Sequence, residues 1–353
     1  MGEAGRGLNK GDTTTAAQRG WFGNFMLKSS KINTHLLGNE ISPKTLRDFY
    51  SYICIVYYRR KIILAILGEF GGQLPKTSFQ KLLFIFTRLQ EEKSFDFVPY
   101  SYGCFSFSAN QDLLTLKKYG LVKEQHSEPN QYWIKNDDVD YMIQLTKQDN
   151  TFIKILARDF RHLDQDELIK YTYQKYPYYA INSKIAIKLL DKESLCRVNE
   201  QKRVINEPTL FNIGYEGKSV EQFINLLVIN DIKLLIDVRK NALSKKYGFS
   251  KSQLSRTCES MNIKYVHSPG LGINSDKRKD LKSVADYNRL FSEYETTVLP
   301  NARNNINDIL KNLGVYKRVA LMCFERDAFL CHRGRVVNYL NKLLEGTIPI
   351  KNL

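Results

Sequence analysis

Acidic side chains are the first shortage of this 353-residue chain: 37 aspartates and glutamates face 53 lysines and arginines, a formal charge of +16. Such an excess of positive charge points to a polyanionic partner. The excess is not a single basic tail, because 23 basic residues oppose 15 acidic ones from Asn206 onward, which is half of it. Nucleic acid is therefore the expected partner, DNA ahead of RNA, although an even spread also fits merely basic surfaces.

Cysteine is sparse and unpatterned. Cys54, Cys104, Cys196, Cys258, Cys323 and Cys331 form no CxxC pair and lack the density of a secreted disulfide scaffold, so a reducing cytoplasm is expected. Long apolar runs are missing too. The most apolar stretch, "YSYICIVYYRRKIILAIL", is broken by Arg59 and Arg60, which are costly at mid-bilayer, so a buried helix is expected and no membrane. The opening "MGEAGRGLNKGDTTTAAQRG" has neither the apolar core of a signal peptide nor any apolar period; residues 1–43 are expected to be disordered, with Met26 as an alternative start.

The length calls for two domains with a boundary near Asn206, giving 44–205 and 206–353. In the first, "RKIILAILGEFGG" reads as a helix stopped at Gly71 and Gly72, and "SFQKLLFIFTRLQEE" as a second, with Ser78 placed to cap it. A turn at Gly103 leads to a helix over Ala109 to Tyr119, closed by Gly120, and "LVKEQ" and "QYWIK" form a hairpin wing. Helix, helix, turn, helix, hairpin is a DNA-reading layout that also serves protein docking. Two further helices separated by Pro177 and a charged linker, "DKESLCRVNEQKRVINEP", complete the segment. The aromatics of "YTYQKYPYYAINSK" suit either a core seam or base stacking.

The stretch "KLLFIFTRL…FDFVPYSYGCFSFSANQDLLTLKKYGLV" resembles an uncharacterised bacterial winged-helix-like domain with a KLLFL-type helix, a YxYGPFS turn and a DL..L...GL helix; Cys104 stands where that pattern has Pro. The resemblance implies a regulatory or antitoxin-like recognition role.

From Leu210 the pattern alternates short apolar strands, "LFNIGY", "KLLIDVR", "KYVHSP", "RVALMCF" and "TIPI", with amphipathic helices. That alternation predicts an α/β fold with a mainly parallel sheet, whose ligand site lies beyond the carboxyl ends of the strands. At those ends stand Tyr215 and Glu216, Asp237 and Arg239, His267, then Cys323 and Glu325 with Cys331, His332 and Arg333 beyond. Loops at the opposite edge, "VINDIK" and "NLGVYK", carry ordinary solvating residues.

The order "FNIGYEGKSVEQFINLL", "LLIDVRKNALSKKYGFSKSQL", "IKYVHSPGLG" and "ALMCFERDAFLCHRGRVV" resembles the domain-of-unknown-function 488 family, across nearly all of Leu210 to Leu353. The resemblance marks Asp237, Arg239, Ser244, Cys323, Glu325, Cys331, His332 and Arg333 as its functional positions, with Ala242 in place of the usual Pro, and leaves the activity open.

Asp237 and Glu325 are candidates for general acid and base across a crevice, or for pairing with Arg239 and Arg333 to fix loops. The same arginines are candidates for an anion cradle, with Ser244, Tyr215 and His267 nearby. Cys331 beside His332 suggests a thiolate dyad, but adjacent side chains diverge, so a dyad needs one of them to pair elsewhere, for example with His267. A cysteine-phosphatase loop is excluded, since the residues six beyond Cys331 and Cys323 are Val337 and Phe329 rather than arginine. Zinc on Cys323, Cys331 and His332 or His267 lacks CxxC or HxxxH spacing, so neither metal nor cofactor is expected. "DKRKD" reads as a solvated loop, and the glycines of "GYEG" and "SPGLG" as turns. The expected function is a nucleic-acid-associated hydrolase or transferase acting on a phosphorylated or nucleoside-type substrate, N-glycosidic cleavage being one form; a DNA-binding regulator sensing a small anion is the alternative.

Overall fold

The computed structural model describes residues 57–278 and 281–353, with the backbone alone at Ser275. The expected disorder over 1–43, the start at Met26 and residues 44–56 lie outside the described residues. Tyr57 to Leu353 form one compact unit.

Helix α1 (Tyr58–Glu69) buries the whole run Ile62 to Leu67 and stops where Gly71 and Gly72 take φ of 85° and 81°. Strand β1 (Gln73–Pro75) leads directly into α2 (Lys76–Leu89). Pro75 fixes the entry, so Ser78 is a buried first-turn residue rather than the cap. A hairpin of β2 (Val98–Tyr100) and β3 (Gly103–Phe105) precedes α3 (Phe107–Lys118), whose N-cap Ser106 accepts from Ala109 N at 3.2 Å. β4 (Val122–Ser127) and β5 (Asn130–Lys135) pair antiparallel, and β1 adds to β5, giving the order β1-β5-β4. Helices α4 (Lys147–Phe160), α5 (Gln165–Lys175), α6 (Ala186–Leu189) and α7 (Lys192–Glu200) follow.

One expectation changes here and one open alternative is decided. Asp191 accepts from Ser194 N at 2.8 Å and caps α7, so half of the charged linker is helix. The tyrosine-rich segment is a core seam: Tyr176 and Tyr179 meet Phe84 edge-on at 5.0 and 4.6 Å, and the Arg88 guanidinium lies 4.5 Å over Phe84.

The C-terminal part holds a five-stranded, wholly parallel sheet of β6 (Thr209–Gly214), β7 (Leu234–Asp237), β8 (Lys264–His267), β9 (Arg318–Cys323) and β10 (Ile350–Asn352), in the order β10-β6-β9-β7-β8. The last strand begins three residues later than "TIPI" suggests. Helices α8 (Val220–Ile229) and α9 (Lys251–Ser260) cover one face. The other face is covered by α10 (Val284–Glu293), α11 (Arg303–Tyr316) and α12 (His332–Leu343). Period-two alternation sends Phe211, Ile213, Leu235 and Met322 to the first face and Leu210, Ile236, Leu321 and Cys323 to the second. β6 and β9 are neighbours whose onward connections run to opposite sides of the sheet, the topology that opens a crevice at the carboxyl edge.

The two halves meet along α8. Ser108 N donates to Glu221 Oε1 at 2.7 Å, and the hydroxyls of Ser108 and Ser106 reach the same oxygen at 2.8 and 3.2 Å. Asn225 Nδ2 donates to Phe97 O and Ser219 Oγ to Asp96. No helix among the described residues is long and apolar enough to cross a membrane.

Candidate active site

Register fixes which ionisable groups arrive together. Gly214 pairs with Cys323 and Asp237 with His267, so the ends of β6, β9, β7 and β8 lie along one edge. Alternation then divides their side chains between the two faces, and two clusters result rather than one.

The cluster on the α8 and α9 face is built around Asp237, which is fully buried. Arg239 grips it with Nε to Oδ1 at 2.8 Å and Nη2 to Oδ2 at 2.6 Å, and Tyr265 OH donates to Oδ2 at 2.6 Å. The remaining guanidinium donors go to Tyr215 OH at 2.9 Å and Phe249 O at 2.9 Å. Tyr215 stacks on Phe249 with centroids 4.2 Å apart. Ser244 meets Tyr215 OH at 3.4 Å and caps Lys246 N, while His267 Nε2 bonds Arg239 O at 2.9 Å. Of the two roles open to Asp237 and Arg239, this geometry is that of internal pairing: every donor nitrogen of Arg239 has a protein partner. His267 is no partner to either cysteine.

The other cluster stands at the end of β9. Glu325 Oε2 accepts from Cys331 Sγ at 2.9 Å and Cys323 Sγ at 3.2 Å. Its Oε1 accepts from Arg278 Nη1 at 2.5 Å. Arg278 Nη2 reaches His332 Nδ1 at 2.6 Å, and that nitrogen lies 3.9 Å from each sulfur. The "DKRKD" loop is thus not simply solvated, since it delivers Arg278 into the site. The adjacent Cys331 and His332 converge after all: Cys331 is the extended residue that caps α12, and His332 is its first helical residue. Both are buried, as is Cys323, whereas Glu325 and Arg278 keep 21% and 28% side-chain exposure and form the solvent-facing side.

Arg333, also buried, turns away from solvent. It bonds Asn212 Oδ1 and donates Nη1 to Glu325 O at 3.0 Å, so it positions the Glu325 backbone instead of presenting an anion cradle. Gly214 allows that approach, because a Cβ there would stand 1.9 Å from Glu325 O. Asn212, Tyr265 and Arg278 are site residues that sequence reasoning missed. Asn212 carried a signal, a polar residue at the centre of an apolar strand.

Charge is sorted inside this cluster. Burial pushes the Glu325 carboxyl up, but Arg278 and the thiol hydrogen bonds outweigh it and hold the group below the ordinary carboxylate value. Cys323 is pulled down by the hydrogen bond from Cys331 and by His332, against its burial. Cys331 is pushed well above the usual thiol range by burial and by its bond to Cys323. Glu325 is therefore ionised, beside two thiols that burial and mutual contact shift in opposite directions.

Residues 219–340 match the family described as Domain of unknown function DUF488. The DUF488 segment contains both clusters apart from Tyr215 and Asn212, which lie on β6 and just beyond it. No curated protein matches the chain.

Proposed function

We propose that the DUF488 segment is an enzyme whose reactive centre is the Glu325 cluster, performing hydrolysis or group transfer on a phosphorylated or nucleoside-type substrate, with N-glycosidic cleavage as one form. The observation that carries this reading is the concentration at the carboxyl end of β9 of an ionised glutamate, a guanidinium, two thiols and an imidazole, at a sheet position where folding alone asks for none of them. A carboxyl held below its ordinary value is a proton acceptor, so Glu325 takes the role of general base rather than acid. Arg278 orients it, and Arg333 with Asn212 fixes its backbone. Asp237, closed in by Arg239 and Tyr265, holds the neighbouring loop.

The rim supports an anionic, base-bearing substrate. Lys218, Lys246 and the exposed Arg326 stand on the loops after β6, β7 and β9. Burial, followed by repulsion from Arg326, Arg333 and Lys246, lowers the pKa of Lys218, the mark of cations gathered without enough counter-charge. Among them Phe329 is 82% exposed and Phe324 43%. Cations interleaved with exposed aromatics suit phosphates and stacked bases.

The three helices α1 to α3 with the sheet β1-β5-β4 are read here as a winged-helix module that brings nucleic acid, DNA ahead of RNA, to this rim. Since Glu221 occupies the N-terminus of α3, contact falls to its exposed C-terminal end, Leu114, Lys117 and Lys118, and to Lys123 and His126 on the wing. The regulator reading needs Arg239 and Arg333 free for a ligand, and both are bonded within the protein.

The test is mass-spectrometric analysis of modified and unmodified DNA and RNA incubated with wild type and Glu325→Gln. A base or fragment released by wild type and absent with Glu325→Gln supports the reading. Intact substrates throughout, or release that persists in the variant, overturns it.

A further inference from the structure

We propose that Cys323, Cys331 and His332 form a binding site for a zinc-class divalent cation, with Glu325 beside its solvent-facing open corner. The thiol sulfurs and His332 Nδ1 lie within 4.8 Å of one another and all three residues are buried. A tetrahedral zinc ion with Zn–S of ~2.3 Å and Zn–N of ~2.0–2.1 Å separates its ligand atoms by roughly 3.5–3.8 Å. The two S···Nδ1 separations of 3.9 Å lie a few tenths of an ångström above those edges, and Glu325 Oε2, 3.2 and 2.9 Å from the sulfurs, stands beside the three ligand atoms.

The imidazole is already oriented for the task. His332 Nε2 lies 3.0 Å from the Val238 carbonyl, which can only accept, so Nε2 carries the hydrogen and Nδ1 presents its lone pair to the sulfurs. A ligand histidine held through its other nitrogen by a carbonyl is the usual outer-shell arrangement of a metal centre. Edge contact with the Tyr294 ring at 5.8 Å holds the ring plane. Arg278 Nη2 donates to that same Nδ1. On binding, the ion takes its place and Arg278 keeps Glu325 Oε1. The thiol protons leave to solvent, so two thiolates balance the dication.

Spacing hid the site. Cys323 ends β9 and Cys331 opens α12, so the chain itself returns the second sulfur to the first across a loop that no CxxC rule covers. Two thiolates and one imidazole with a glutamate beside the open corner make a set that activates a bound water and accepts its proton. This catalytic use rests on the proposed function; the metal site itself does not.

The first experiment is metal analysis of full-length protein purified without chelator, with cobalt substitution and X-ray absorption on the zinc form. We expect one metal per chain, sulfur-to-cobalt charge-transfer bands, and a shell of two sulfurs with the remainder nitrogen or oxygen. Cys323→Ser and Cys331→Ser lose the metal, Cys258→Ser and Cys196→Ser keep it, and the absorption shell of wild type decides the matter should the site variants not fold. A metal-free protein without cobalt bands, a shell lacking sulfur, or a Cys323–Cys331 disulfide found by alkylation and mass spectrometry overturns the proposal. Metal bound with no substrate turned over defeats the proposed function and leaves the site standing; turnover sensitive to Glu325→Gln in metal-free protein does the reverse.

Discussion

Glu325 is where charge, burial and proximity meet, and its ionisation depends on one neighbour. Arg278 holds the carboxyl below the ordinary value, against the opposing pull of burial. A carboxyl depressed in the folded state adds stability that is present above its unfolded pKa of ~4.3 and is lost as pH falls through the folded value. Arg278→Gln removes that contribution. Both side chains are partly solvated, so the loss should be about 1 kcal/mol at neutral pH, and the difference from wild type should close below roughly pH 4. Urea unfolding at several pH values measures it, and a difference independent of pH would mean that Arg278 acts through packing alone. The sequence could not have disclosed this pair, because Lys277 and Arg278 are adjacent cations and only the turn at 275–278 sends Arg278 to Glu325 and Lys277 to Glu293.

At the scale of elements, the five strands were legible because short apolar runs between amphipathic helices admit few other readings. The site was half legible for the same reason. Strand ends named Asp237, His267, Cys323 and Glu325 correctly as edge residues, but which face each side chain takes depends on the register of β6, β9 and β7, and that parity sends Asp237 and Cys323 to opposite faces. The joint between the halves was not legible at all. Glu221 sits in the first turn of α8 and binds the first turn of α3, so one carboxylate serves two helix N-termini. Its other oxygen has no hydrogen-bond partner among the described residues, and burial, ahead of the serine hydrogen bonds that lower it, raises its pKa. Because the folded protein then keeps this proton longer than the unfolded chain, stability falls as pH rises from ~4.3 toward the folded value. Glu221→Gln keeps an acceptor for all three donors and should lie within about 1 kcal/mol of wild type at neutral pH with a flatter pH dependence, whereas Glu221→Ala strands them at about 2–3 kcal/mol. Denaturation followed through the fluorescence of buried Trp133 separates the two, and an alanine variant as stable as the glutamine one would show that the contact carries no weight.

Over the whole sequence the positive charge is divided, half before Asn206 and half after, and residues 57–353 form one compact unit. A polyanion bound only by the helical part would leave the rim of Lys218, Lys246 and Arg326 idle; one that reaches the Glu325 centre must also release counterions there. Each neutralised phosphate contributes about 0.9 to the slope of log affinity against log salt on duplex DNA, and about 0.7 on a single strand. Arg326 is the cleanest probe, being exposed and, among the described residues, bonded through its backbone nitrogen to Glu216. Arg326→Gln combined with Lys218→Gln should reduce the slope by up to about 1.8 on duplex DNA or 1.4 on a single strand, and should weaken different sequences alike. Lys118→Gln with Lys123→Gln should act similarly from the other half. Fluorescence anisotropy across a salt series reads each slope directly. If only the second pair changes it, nucleic acid stops at the helical part, and the DUF488 segment meets a small substrate at a rim that the polymer never touches.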